Sequence, residues 1–259
     1  MANRQILYFP GTSSVPGYPD LDVTESEIAL ANMAGRVYWP GLFDWDVNNA
    51  STGFRDRVTD AAAPVEGVVN VAKQFGAAPN GKNVYNIGAA AHNPIAPPFD
   101  TTGSFTIGLV VEQNIAMGSF SAAAASNETP APWFVITGTT GADIGKPWIQ
   151  FGALTSGGYA GYSGSPLAAG VMNRVVLIVD RGASKITLRV NGVVGHTVTH
   201  ALVNTAAVFS ELKIGAARPA GANSSQRSLK LGAVIAFTRA LAGDDLATLE
   251  AHLAEVAAA

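Results

Sequence analysis

The chain has 259 residues, enough for one large all-β domain or two small ones, and only 14% of them are charged. The formal net charge is −3 and cysteine is absent, which excludes a sequence-wide basic footprint for nucleic acid, a disulfide framework, thiol catalysis and every cysteine-based metal site. The 28 glycines and 14 prolines argue for a turn-rich chain and against a helical bundle.

The apolar run near the start, Ile6 to Phe9, is far shorter than the roughly 7–15 residues of a signal-peptide core. No stretch approaches the roughly 18 apolar residues of a membrane span. The reading therefore expects neither a secretion signal nor a span. Residues 1–35 read as an extension, because Pro10, Gly11, Pro16, Gly17 and Pro19 break regular structure. Thr24-Glu25-Ser26-Glu27 then leads into a short helix through Met33, with acids in its first turn. Such an arm is expected to pack on its own domain or to assemble with a neighbouring subunit. Residues 36–259 read as one domain.

Short β-like runs separated by turn clusters follow. In 104–112 the residues Phe105, Ile107, Leu109 and Val111 fall on one face at the strand period of two. Residues 171–180 are apolar on both faces in their second half, which suits a central strand. Residues 184–191 alternate, with Ile186, Leu188 and Val190 inward and Lys185, Thr187 and Arg189 outward. Asn191-Gly192 is a strong two-residue hairpin signal, since both residues tolerate positive φ. The return strand, 193–200, places His196 opposite Thr187 on the outward face. Further strands are expected at 212–215 and 229–238, the latter with Leu229, Leu231, Ile235 and Phe237 on one face. A terminal helix follows Gly243, with Asp244 and Asp245 in its first turn and an apolar stripe of Leu246, Leu249, Leu253 and Val256.

The order of these pieces resembles the concanavalin A-like, laminin-G-like jelly roll. The resemblance rests on 103–107, on 174–180 followed by 186–192, on 211–215 and on 231–237. Its most telling part is Arg239-Ala240-Leu241 before the terminal helix, and Arg36–Pro40 with Phe54-Arg55-Asp56 look like the family's first strand and following turn. It implies an all-β sandwich of two antiparallel sheets with a short C-terminal helix. The family includes lectins, adhesion modules, glucanases and virion surface proteins, so the fold alone does not choose a function. The expected role is a non-enzymatic structural or adhesion protein of a virus particle, such as a bacteriophage decoration, tail or fibre-associated protein. It would assemble in the host cytoplasm as a homo-oligomer or with other virion proteins through its N-terminal arm. The alternative is a stand-alone carbohydrate-binding lectin or adhesin that reaches the outside by a non-classical route. A glycoside hydrolase is a distant third.

Catalytic signatures are missing. Glycoside hydrolysis needs two carboxylates flanking a cleft, and the E-x-D-x-E strand motif of the family's glucanases has no counterpart. Around Ser163 the sequence reads Gly161-Tyr162-Ser163-Gly164-Ser165, with serine where a nucleophile elbow needs glycine. Gly145-Lys146 is followed by Pro147, not by the hydroxyl residue of a phosphate loop. His196 and His200, four apart on a strand, are about 13 Å apart at Cα and cannot share a zinc ion. No cofactor is expected, with calcium as the one metal left open. Asp44, Asp46 and Asn48 place oxygen ligands at alternating positions, although Asn49 stands where an EF-hand loop needs glycine. Sugar rings would stack on aromatic side chains, and the candidates are Trp133, Trp148, Tyr159 and Tyr162. The tyrosines lie in the Gly-rich stretch 156–165, read as a loop that contacts either a cell-surface glycan or another subunit. Both tryptophans follow a proline and open apolar strands, which favours burial between the sheets.

Overall fold

Alternating apolar residues build two antiparallel sheets that face each other. A computed structural model of the chain describes residues 24–40, 54–56, 62–63, 75–77, 83–87, 101–120, 133–138, 141–151, 159–205, 211–215 and 229–258. Its strands are β1 (Arg36–Tyr38), β2 (Phe54–Arg55), β3 (Ala62–Ala63), β4 (Phe75–Ala77), β5 (Asn83–Ile87), β6 (Phe105–Val111), β7 (Ala116–Phe120) and β8 (Trp133–Thr137), then β9 (Pro147–Phe151), β10 (Tyr159–Tyr162), β11 (Asn173–Asp180), β12 (Lys185–Val190), β13 (Val193–Thr199), β14 (Glu211–Ile214) and β15 (Leu229–Phe237). The helices are α1 (Glu25–Asn32), α2 (Ala201–Thr205) and α3 (Gly243–Ala258). The larger sheet has the order β13-β12-β11-β6-β15-β5-β4, with β1 also paired to β15, and the smaller has β10-β9-β8-β7-β14. This is the expected β-sandwich with a C-terminal helix.

The inner faces of the two sheets share one core, to which Phe105, Ile107, Leu109 and Val111 contribute from β6 and Ile149 and Phe151 from β9. Leu177 faces Ile107 on one side and Leu188 on the other, so β11 is the central strand its pattern predicts. The hairpin turn is as expected, with positive φ at Asn191 (52°) and Gly192 (84°).

The outer face of the larger sheet is covered as well. Leu249 and Leu253 of α3 join Val110, Val176, Ile235 and Phe237 in a second cluster. Gly108 makes this approach possible, because a Cβ there would lie 2.9 Å from Leu253 Cδ1 and 3.1 Å from Leu249 Cδ1. Buried Thr106 holds the turn before α3: its Oγ1 accepts from Leu241 N at 2.9 Å and donates to the Arg239 carbonyl at 2.9 Å.

Thr24 caps α1 in a capping box with Glu27. The helix packs on α3 of its own chain: Ser26 Oγ donates to Glu255 Oε2 and lies 3.0 Å from His252 Nδ1, and Leu30 is fully buried. Near the start of the sandwich Asp56 accepts from Trp39 N at 2.7 Å and pairs with Arg36 at 3.3 Å.

Two expected face assignments change, both at bulges. In β15 the register shifts between Leu231 and Ala233. Leu229, Leu231, Val234 and Ala236 therefore face the inner core, while Ala233, Ile235 and Phe237 lie under the helices. In the β12–β13 hairpin the register shifts between Leu188 and Arg189, so Arg189 pairs with Val194 and Leu188 with His196. The extra residue is Gly195. One inserted residue turns His196 from the outward face to the inner one.

Candidate functional site

Tyr159 and Tyr162 do not lie in a loop. They belong to β10, an edge strand whose four residues pair with Phe151, Gln150, Ile149 and Trp148 of β9. Gly161 lets the segment pack tightly, which is why its composition reads as a turn while its geometry is a strand. Three positions separate the tyrosines, so they point to opposite faces of the smaller sheet.

Tyr162 faces outward with its cross-strand partner Trp148. Their rings stack at 5.7 Å between centroids with planes 20° apart. Tyr162 is 40% exposed. Trp148 is only partly covered and lies outside the core between the sheets, contrary to the burial expected from its sequence setting. Strand alternation explains the difference: Ile149 and Phe151 take the inner face and leave Trp148 the outer one. Lys146, two residues before Trp148, pairs with Asp143 at 3.1 Å. Gly138 brings this corner together, since a Cβ there would run into the Asp143 carbonyl and lie 3.1 Å from Tyr162 Cε1. An aromatic pair, an ion pair and the exposed Ile144 thus share one corner of the sandwich.

Tyr159 faces inward. Its ring stacks on Phe151 at 5.3 Å, and its hydroxyl lies 2.6 Å from His196 Nε2. The His196 ring is itself stacked at 5.7 Å from Tyr159. Burial holds the imidazole below the usual histidine pKa of 6.5. His200, just after β13, meets Phe151 edge-on at 5.3 Å. Beside this cluster Gly164 N donates to the Gly195 carbonyl at 2.9 Å, so the segment that follows β10 is joined to β13 of the opposite sheet. The sequence reading missed this aromatic–histidine seam. The only signal for it was Gly195, a glycine inside a strand pattern, which marks a bulge.

Trp133 opens β8, and its side chain lies outside the described residues, as do Asp44, Asp46 and Asn48. Among the described residues no three His, Asp or Glu side chains converge as metal ligands. No helix among them is long and apolar enough to cross a membrane.

No family model and no curated protein matches the chain. Solved structures do. The binding domain of botulinum neurotoxin serotype D aligns at TM-score 0.54 and 9% identity, over 84% of this chain and 52% of its own. A structure of botulinum neurotoxin type C, whose cell entry depends on interaction with two ganglioside molecules, aligns at TM-score 0.54 and 10% identity, over 87% and 52%. The CBM40 module of the Ruminococcus gnavus IT-sialidase, bound to α2,6-sialyllactose, covers 59% of this chain and 91% of its own at 14% identity and TM-score 0.44. The chain spans about half the length of the neurotoxin binding domains it matches. At these identities the likeness is one of fold alone.

Proposed function

We propose that the chain is a non-catalytic glycan-recognition module, and that the Trp148–Tyr162 pair is its sugar platform. The observation that carries this is the outward, partly exposed parallel stack itself. Flat aromatic faces suit the C–H faces of a pyranose, and a tyrosine adds a hydroxyl at the wet edge. The Lys146–Asp143 pair beside it supplies a donor and an acceptor for sugar hydroxyls. The fold similarity to botulinum neurotoxin type C, whose cell entry depends on interaction with two ganglioside molecules, supports this reading over a virion structural role. The helix assigned to an assembly arm is packed on α3 of the same chain.

The test is a glycan array of neutral and sialylated oligosaccharides, probed with the full chain and with Trp148→Ala and Tyr162→Ala. Binding that falls at least tenfold in both variants supports the platform. No bound glycan, or binding that both variants retain, overturns it.

A further inference from the structure

The strands around the platform are poor in charge. Between Gln113 and Asn173 the sequence has one cation, Lys146, and two acids, Glu128 and Asp143. This stretch contains β7 to β10, and every other lysine and arginine of the chain lies outside it. Glu128 falls outside the described residues. Lys213 is the cation of the sheet's remaining strand, β14, which stands at the far edge, four strand spacings or about 19 Å from β10. Lys146 is already held: its Nζ lies 3.1 Å from Asp143 Oδ1, and both side chains stay open to solvent, at 28% and 38%. The backbone fixes the pair. Lys146 N donates to the Asp143 carbonyl at 3.0 Å, Gly145 N to the Gly138 carbonyl at 3.0 Å, and Gly138 N to the Lys146 carbonyl at 2.9 Å. The turn also touches the platform, because the space that a Cβ at Gly138 would need is bounded by the Asp143 carbonyl and by Tyr162 Cε1.

We infer that the ligand of this platform is an uncharged hexose, and that the Lys146–Asp143 pair selects it against sialic acid and other acidic sugars; this rests on the platform reading above. A neutral pyranose presents adjacent hydroxyls, each both donor and acceptor. One accepts from the Lys146 ammonium, which has further N–H groups beside the one given to Asp143. Its neighbour donates to the Asp143 carboxylate, whose two oxygens take several donors. The ion pair stays intact and the corner gains no charge. An acidic sugar instead brings a carboxylate that only accepts. The cation within its reach on these strands is Lys146, and engaging it places two carboxylates on one ammonium, with Asp143 repelling the newcomer at short range. Lys213 is too far away to offset this. The aromatic rings thus supply the attraction, and the acid of the ion pair supplies the repulsion that makes it selective.

Titration calorimetry of the full chain tests this with matched ligands. They are a neutral oligosaccharide that binds on the array, the same oligosaccharide capped with sialic acid, and the methyl ester of the capped form. The ester keeps the size of the acid and removes its charge. The neutral form is expected to bind about tenfold or more tightly than the acid, and the ester to come within about threefold of the neutral form. Asp143→Asn keeps the size of the side chain and leaves Lys146 without its counter-charge, so the acid's disadvantage is expected to shrink about fivefold or more. Trp148→Ala and Tyr162→Ala are expected to weaken both forms. An acid that binds as tightly as the neutral form, or an array that holds sialylated glycans alone, overturns the uncharged class; if both aromatic variants then lose that binding, the platform still stands. An ester as weak as the acid, or a preference in Asp143→Asn equal to that of the wild type, overturns the ion pair as the selector. No bound glycan, or binding that both aromatic variants retain, overturns the platform and this inference with it.

Discussion

The Arg189 guanidinium grips the Glu250 carboxylate with two nitrogens, Nε to Oε1 at 2.7 Å and Nη2 to Oε2 at 3.0 Å. The same Nη2 donates to the Gly192 carbonyl at 2.7 Å. One side chain therefore ties the β12–β13 turn to the terminal helix. Both partners are mostly buried, with 19% and 17% of their side chains exposed, so loss of one leaves the other poorly solvated. Glu250→Ala is expected to cost about 1–3 kcal/mol, and Arg189→Ala a similar amount. The double variant should cost less than the sum, because each single change already breaks the pair. Urea unfolding of the four proteins measures the coupling.

Gly195→Ala offers a sharper test of the seam. The new methyl meets Ser163 Oγ at clash distance, whereas Ser163 Cβ lies 3.5 Å away. The single variant is expected to lose about 1–3 kcal/mol from overpacking. Ser163→Ala removes the offending oxygen along with its bond from Ser165 N. Gly195→Ala combined with Ser163→Ala should therefore be more stable than Gly195→Ala alone. A double variant that is less stable than Gly195→Ala would show that the Ser163 hydroxyl contributes more through Ser165 than its clash costs.

Tyr38 presents the opposite case. Its hydroxyl is buried without a hydrogen-bond partner among the described residues. Burial, then Asp56 and then Tyr85 raise its pKa well above 10.0. The folded chain holds the proton more tightly than the unfolded one, so this group's contribution is full below about pH 10 and is lost as pH rises further. Tyr38→Phe is expected to be neutral or stabilising by up to about 1 kcal/mol at pH 7. It should also flatten the alkaline arm of the stability profile, read as the urea midpoint between pH 9 and 11.

His196 bends the acid side of the same profile. Its pKa is lowered in the folded state, so below about 6.5 the unfolded chain binds a proton that the folded chain refuses. Stability from this group is present above that pH and declines as pH falls. The urea midpoint of the wild type should drop between pH 7.5 and 5.5 by more than that of His196→Gln. Equal drops would assign the acid loss to other groups.

The two tyrosines of β10 should separate cleanly. Tyr159 packs against the core, so Tyr159→Ala is expected to destabilise by about 2–4 kcal/mol. Tyr162 is exposed enough that Tyr162→Ala should cost under about 1 kcal/mol while abolishing glycan binding. Thermal unfolding and the array together distinguish the two roles.

The elements easiest to read from sequence are those held by local rules. Ile186, Leu188 and Val190 alternate because one face of β12 is buried, and Asn191-Gly192 turns because both residues adopt positive φ. The stripe of α3 is legible because Leu249 and Leu253 recur at the helical period. What could not be read depends on partners distant in sequence. The bulge at Gly195 is set against Ser163, thirty-two positions earlier, and a one-residue slip there reverses the face of His196. β10 looks like a loop because Gly161 makes room for the Tyr159–His196 contact. Trp148 looks like a core residue because hydrophobicity does not say which side of a sheet a side chain takes. Half the aromatic candidates were thus brought together, as Trp148 and Tyr162, and Tyr159 was given different work.

The larger sheet lies between helices on one side and the smaller sheet on the other. Any change in it is felt at two boundaries: Ile107 and Leu109 meet one core, while Gly108 and Val110 between them meet the other. Such a middle layer has little room to vary. At the end of the smaller sheet Tyr162 is exposed and Trp148 only partly covered, so substitutions at this corner disturb less packing. The architecture therefore separates a slowly changing frame from a corner freer to change. If the proposed platform holds, descendants of this chain would acquire new binding preferences by altering residues around β9 and β10 while the helix-covered layer stays as it is.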